Sequence, residues 1–164
     1  AIGTQFPVDT STVDTILESC AQITKNLIKD DYRDLTMQKA TTVGQRLYLE
    51  FGITGVRGEI ANGLPVVKTF GLPTLKKALD DGVGFDLAGA KTLLSILTHM
   101  VDTNMIARSD VKTAKEYQND IRLQHKINID LLHQLNQEFI EKNLSPGGSA
   151  DLLAVCFLLY FLMH

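Results

Sequence analysis

Apolar positions recur at helical spacing along nearly the whole chain. Val13, Ile16, Leu17, Cys20, Thr24, Leu27 and Ile28 fall at i, i+3, i+4, i+7, with Lys25, Lys29 and Asp30 elsewhere around the wheel. Asp9, Thr10 or Ser11 can cap this helix. A second helix is predicted over Thr36 to Phe51, ending at Gly52. The next stretch, GITGVRGEIANGLP, has no clean period, and its glycines read as loop. A short helix near Pro73 to Asp80 comes next. Asp86 can cap a longer helix running to Thr103, with Leu87, Ala90, Leu93, Leu94, Leu97, Met100 and Val101 on its apolar side. Ser109 or Asp110 caps the following helix, whose weakest part is the polar run Glu116 to His125. Ile129, Leu132, Leu135, Phe139 and Ile140 restart the pattern through Asn143. Ser145-Pro146-Gly147-Gly148 breaks the chain, and Ser149 can cap the last helix. That helix is apolar on every side, which puts it at the centre of a bundle. No β alternation and no internal repeat is present. The pattern predicts one all-α domain over residues 1–164, with six or seven helices around a central apolar C-terminal helix.

Composition narrows the function classes. A chain of 164 residues suits one domain, and 45% hydrophobic with 21% charged residues excludes a disordered tail or a collagen-like fibre. The net charge of −3 offers no basic excess for a nucleic-acid backbone. The longest apolar run, Leu152 to Met163, would span roughly 18 Å as a helix, short of the ~30 Å of a bilayer core. It reads as a core helix, not a membrane span. Cys20 and Cys156 form no CxxC and no Cys/His cluster, so they read as small core residues in a reducing cytoplasm. The opening AIGTQFPVDT lacks both a signal-peptide pattern and an initiator Met, as expected of a processed chain or a fragment of a longer protein.

Three polar, glycine-punctuated segments interrupt the helical pattern, and loops of this kind carry function on rigid scaffolds. In Gly52 to Glu59, the glycines allow close approach of backbone to a ligand. Arg57 offers a planar fork of donors for phosphate oxygens, and Glu59 can hold Mg²⁺ or accept a proton. The plain alternative is a helix-ending turn with a solvated ion pair. In Asp102-Thr103-Asn104 and the nearby Arg108, the Asp and Asn oxygens suit a hard cation, and His99 can share a face with Asp102; the alternative is a polar helix end. In Ser145 to Asp151, a Gly-Gly-Ser entering a helix presents free N–H groups to an anion, and Asp151 can turn inward as ligand or base; the alternative is a Pro-Gly turn with a Ser cap. His99, His125, His133 and His164 make no metal-ligand spacing, and no P-loop, GxGxxG or GxSxG occurs.

Taken together, GITGVRGE with a following Gly-x-Pro, then DTNxxxR, then NLSPGGSADLLA resembles the triphosphoribosyl-dephospho-coenzyme A synthase family, which serves citrate lyase, with a sister group serving malonate decarboxylase. The resemblance covers Thr41 to the C-terminus and is similar to the C-terminal half of such an enzyme. Two positions depart from the family pattern: Leu64 replaces an aromatic, and Ser109-Asp110 replaces a Gly-Gly. The resemblance implies transfer of the 5-triphosphoribosyl group of ATP to the 2′-hydroxyl of 3′-dephospho-coenzyme A, with adenine leaving and Mg²⁺ as cofactor. It marks Glu59, Asp102 and Asp151 as catalytic candidates. Arg57, Gly58, Asn104, Arg108, Ser145, Gly147, Gly148 and Ser149 become triphosphate-binding candidates, and Glu59 and Asp102 metal ligands. The implied partners are the two nucleotides and either a missing N-terminal half or a second copy of the chain. The competing expectations are a non-catalytic all-α scaffold or dimerisation fragment and, third, an all-α Mg²⁺-dependent nucleotide hydrolase, which the absence of tandem acidic helix motifs disfavours.

Overall fold

Short polar side chains set most of the helix starts. The computed structural model describes residues 9–124 and 127–164, so His125 lies outside the described residues. Asp9 caps α1 (Thr10–Asp31), its carboxylate accepting from the Thr12 N–H at 2.8 Å. Thr42 and Gln45 form a reciprocal capping box that opens α2 (Val43–Phe51), later than the predicted start at Thr36; Gly52, at φ +66°, closes it. The glycine-rich stretch expected as loop instead contains α3 (Gly55–Ala61). Next comes a π-helical segment (Val67–Gly71) that runs directly into α4 (Leu72–Asp80).

The long helix predicted from Asp86 to Thr103 is two elements. The first, α5 (Phe85–Leu97), carries Asp86 in its first turn and not as its cap. The second, α6 (Thr103–Arg108), is capped by Asp102. Asp110 caps α7 (Val111–Arg122), Asn128 caps α8 (Ile129–Glu141), and α9 (Gly147–Met163) comes after Pro146. The described residues thus form nine α-helices and one π segment, all-α as expected but more finely divided. Internal polar caps divide helices that hydrophobic period alone runs together.

Two apolar clusters make the core. One joins α1, α3, the π segment, α4, α5 and α9 through Leu17, Val67, Leu75, Ile96, Leu152 and Leu159. The other joins α2, α5, α6, α7 and α8 through Leu47, Leu94, Leu97, Met105, Ile121 and Leu135. Helix α9 packs on α3, α4, α5, α6 and the π segment, the central position its composition predicts. It is not buried all round: Leu158 and Phe161 remain exposed toward its end. Gly71 is required where the π segment meets α9, since a Cβ there would lie 2.6 Å from the Cys156 sulfur. Burial pushes the Cys156 thiol up to about 12, so it is an inert core residue. The polar run in α7 is helical through Arg122 because its side chains serve the end of α5. Gln118 donates to the carbonyls of Leu97 and Met100, and Arg122 to that of Thr98. Those carbonyls have no partner inside their own helix.

Asp102 connects the two clusters. Its carboxylate is 2% exposed. Oδ1 accepts from the N–H groups of Asn104 (2.9 Å), Met105 (3.2 Å) and Gly148 (3.4 Å). Oδ2 accepts from the N–H (2.7 Å) and hydroxyl (2.9 Å) of Ser149. One side chain therefore caps α6 and α9 at once. Ser149, expected as the cap of α9, is instead a donor to the real cap.

Glu59 ties α3 to the turn leading into the π segment: Oε2 accepts from the Val66 N–H at 2.9 Å. Its half-burial raises the carboxyl above its ordinary range, and the Val66 hydrogen bond offsets only part of that. Between them Gly63 and Leu64 adopt φ of +78° and +57°. The burial of Leu64 in the first cluster compensates a conformation that branched side chains rarely adopt.

Removing the double cap should be costly. Asp102→Ala strands several buried donors and is expected to lower stability by about 3–5 kcal/mol, a fall of roughly 6–20 °C in Tm. Asp102→Asn keeps the shape but sets an NH₂ against N–H donors, and is expected to cost about 1–3 kcal/mol. Thermal unfolding by circular dichroism checks both, and an unchanged Tm for the Ala variant refutes the brace. Glu59 predicts a pH dependence. A raised folded-state carboxyl means that the unfolded chain releases its proton first as pH rises through the ordinary glutamate range, so stability falls there. Glu59→Gln should match the wild type in urea midpoint near pH 4 and exceed it at pH 7.

Candidate functional site

Four helix starts converge on one pocket of about 260 Å³. From α2 come the N-cap Thr42 and Gly44; from α3 the N-cap Thr54, with Val56 and Arg57 in the first turn. From α6 come Thr103 and Asn104, and from α9 Gly148 and Asp151. Tyr32, the C-cap of α1, completes the wall. Helix starts present unpaired N–H groups and a partial positive charge within their first turn. No side chain caps the start of α3, so its first N–H groups keep that capacity.

Glycines make the convergence possible. A Cβ on Gly55 would lie 2.8 Å from the Thr103 methyl, and one on Gly147 would lie 2.5 Å from the Asn104 amide nitrogen. A Cβ on Gly148 would meet Val56 at 3.1 Å and both Asp102 oxygens at 3.4 Å. Helices α3, α6 and α9 thus approach to backbone contact distance. Gly58 serves differently. A Cβ there would overlap the Thr54 hydroxyl, so its absence lets that side chain fold back over α3.

The structure brings Arg57, Asn104, Gly148 and Asp151 together in this pocket. Arg57 is exposed, and its Nη1 donates to Asp31 Oδ2 at 2.9 Å from the last residue of α1. Asp151 is exposed at the pocket. Asn104 reaches the pocket from α6, next to the Asp102 brace.

The other candidates are placed elsewhere. Gly58 and Glu59 line a second pocket of about 300 Å³ on the other side of α3, with Thr54, Asn62 and His99. Arg108 donates to Asn143 Oδ1 at 2.9 Å. Ser145 lines an apolar groove between α5 and α8. Gly147 packs on Asn104, and Ser149 is fully buried against Asp102. Asp102 itself lies behind Gly148 with both oxygens engaged. The anion that the Gly-Gly-Ser turn is built to receive is therefore, in part, the chain's own carboxylate. The proposed metal pair Glu59 and Asp102 does not meet in one pocket. Among the described residues no group of three or more His, Cys, Asp or Glu side chains could hold a metal ion. His99 does not turn to Asp102; its ring stacks on Phe70 at 3.5 Å, and its Nδ1 bonds with the Ser95 carbonyl.

Sequence reasoning missed Tyr32, Thr42, Gly44, Thr54 and Thr103. Thr42 had a usable signal, the capping-box spacing to Gln45. Thr54 and Thr103 sit inside the quoted motifs without any role of their own. Nothing local marks Tyr32.

The CitG family, described as ATP:dephospho-CoA triphosphoribosyl transferase, matches residues 5–164. The chain is 34% identical over 156 residues to the probable 2-(5''-triphosphoribosyl)-3'-dephosphocoenzyme-A synthase of Malonomonas rubra, covering 90% of this chain and 49% of that protein. It is 35% identical over 148 residues to the 2-(5''-triphosphoribosyl)-3'-dephosphocoenzyme-A synthase of Pectobacterium atrosepticum, covering 89% and 48%. It is 34% identical over 146 residues to the probable synthase of the same name from Streptococcus equi subsp. equi, covering 85% and 49%. The chain spans about half the length of the curated relatives it matches. No solved structure matches it. Among the described residues no helix is long and apolar enough to cross a membrane. On the extent of the match, the chain belongs to the ATP:dephospho-CoA triphosphoribosyl transferase family.

Proposed function

We propose that this chain supplies the triphosphate-binding part of an enzyme that moves the 5-triphosphoribosyl group of ATP to the 2′-hydroxyl of 3′-dephospho-coenzyme A. The observation that carries the reading is the convergence of four helix starts, Arg57 and Asn104 on one pocket in a chain of this family. A triphosphate needs N–H donors, a planar cation and a hard metal ion. With the starts of α2, α6 and α9 capped by Thr42 and Asp102, the uncapped start of α3 and Arg57 answer the first two demands.

Mg²⁺ fits the third with fewer protein ligands than the sequence suggests. Asp102 has no free oxygen, and Asp151 is the carboxylate among the described residues of the pocket. Mg²⁺ commonly takes one or two carboxylates plus substrate phosphates and waters. Asp151 would hold such an ion, which when bound would neutralise phosphate charge.

In the transfer, the 2′-hydroxyl oxygen forms a bond to the anomeric carbon of the ATP ribose. The bond to adenine breaks, adenine leaves with the electron pair, and the hydroxyl proton passes to a base. Positive charge grows on the ribose as adenine departs, and a nearby carboxylate stabilises it. Asp151 is the residue in reach of the pocket for either task. Glu59, with its carboxyl raised by burial, has the better proton affinity but lines the neighbouring pocket. The product is the precursor of a prosthetic group on an acyl carrier protein, serving citrate lyase or, in the sister group, malonate decarboxylase.

Adenine release from ATP, Mg²⁺ and dephospho-coenzyme A, followed by chromatography, tests the reaction on this chain and on a full-length relative. A triphosphoribosyl product from the relative alone makes the chain a nucleotide-binding half that lacks part of the catalytic machinery. Absence of product from both refutes the transferase. Arg57→Ala should weaken Mg²⁺·ATP binding roughly tenfold or more, the scale of one charge-assisted phosphate contact, while leaving Tm near the wild-type value because its Asp31 partner is exposed. Calorimetric titration checks this, and unchanged affinity refutes the phosphate role of Arg57.

A further inference from the structure

We infer that Tyr32 is the platform on which the purine base of the bound nucleotide stacks, with its phosphates toward Arg57. The inference rests on the phosphate-binding reading of this pocket and extends it to the base.

The rings of Tyr32 and Tyr48 stack with centroids 4.0 Å apart and planes 24° from parallel. Of the two, Tyr32 lines the pocket and Tyr48 does not. Tyr48, from α2, thus backs the ring that forms the pocket wall. The backbone of Tyr32 is held as well, since it is the C-cap of α1 and its N–H donates to the Lys29 carbonyl at 3.3 Å. An aromatic ring already fixed by its helix end and by a second ring loses little freedom when a ligand arrives.

Its placement relative to the charged groups is also suitable. Asp31, the preceding residue, holds the Arg57 guanidinium at 2.9 Å. The ring and the planar cation therefore line the same pocket. A ligand with an aromatic base at one end and phosphates at the other satisfies both at once. Tyr32 is only half-buried and faces a pocket whose other lining groups are, apart from Val56, hydroxyl, amide, charged and glycine groups, so packing into the core does not explain its position. Both ATP and dephospho-coenzyme A carry such a base beside phosphates, and the test separates them.

The chain has four tyrosines and no tryptophan, so its intrinsic fluorescence reports tyrosine alone. Calorimetric titrations of the whole chain with Mg²⁺ and tripolyphosphate, ATP or dephospho-coenzyme A give the affinities. Base stacking on an aromatic ring should make a nucleotide bind on the order of tenfold to a hundredfold tighter than its phosphate chain alone. ATP is expected to exceed tripolyphosphate by that factor and to quench tyrosine fluorescence, which tripolyphosphate does not. Tyr32→Ala should abolish the excess while leaving tripolyphosphate affinity unchanged, a readout that also shows the pocket still folded. Tyr32→Phe should keep the excess. Whichever of ATP and dephospho-coenzyme A loses more in Tyr32→Ala is the nucleotide whose base sits there. Wild-type chain that binds tripolyphosphate as tightly as either nucleotide overturns the platform and leaves the phosphate site standing. So does a Tyr32→Ala chain with undiminished preference for both nucleotides. Wild-type chain that binds neither tripolyphosphate nor ATP overturns the phosphate reading, and the platform falls with it.

Discussion

The fold turns on one buried carboxylate. Asp102 sits where the second core cluster, through α6, meets the first, through α9. Helix starts carry partial positive charge and unpaired N–H groups, and two of them facing each other would repel. A negative charge between them converts that repulsion into attraction and supplies acceptors for five donors. The geometry tolerates little else. A neutral cap side chain could serve one helix, but a carboxylate has two oxygens of the same sign, with which it accepts from the N–H groups of both helices.

This brace sets the pocket. Gly148 lies between the Asp102 oxygens and the pocket, and Asn104 comes just after Asp102 within the first turn of α6. Holding α6 against α9 fixes both residues relative to each other. The contacts of Gly55 with Thr103, and of Gly148 with Val56, then bring α3 and Arg57 to the same place. A larger residue at Gly55, Gly147 or Gly148 would press on Thr103, Asn104 or Val56 and displace them. The helix-propensity cost of three glycines in first turns is small beside the approach they permit. The chain uses them where its neighbours, not its own helix, require the space.

The all-α class, the apolar central helix and most helix positions were legible because they depend on local period and on capping residues such as Asp9, Asp110 and Gly52. α3 was not legible. Gly55 and Gly58 oppose helix formation locally; Gly55 is explained by its left-handed φ of +54° and by the close Thr103 side chain, Gly58 by the Thr54 side chain that folds over it. The site was legible at the level of segments, since all three motifs contribute to the pocket. It was not legible residue by residue. Asp102, Gly147, Gly148 and Ser149 carry the chemical types of a ligand site, yet much of their bonding capacity closes upon itself. Tyr32 failed to stand out for the opposite reason: it belongs to no motif and reaches the pocket only because α1 ends beside α2.

The electrostatics of the pocket derive from that division. Asp102 neutralises the starts of α6 and α9 from behind, so part of their positive character is spent inside the protein. The groups left facing the pocket are the uncapped start of α3 and the Arg57 guanidinium, itself shared with Asp31, against the carboxylate of Asp151. This balance is too nearly neutral to favour a bare triphosphate strongly. It suits one that arrives as its Mg²⁺ complex, with half its charge already compensated, since Asp151 then meets a cation and not a second anion. The Arg57–Asp31 pair is exposed and therefore weakly held, so exchanging Asp31 for a phosphate oxygen costs little. On the proposed reading, this charge arrangement would favour the metal-bound nucleotide over free anions of the same size, and the aromatic wall beside Arg57 would help tell a nucleotide from its phosphates.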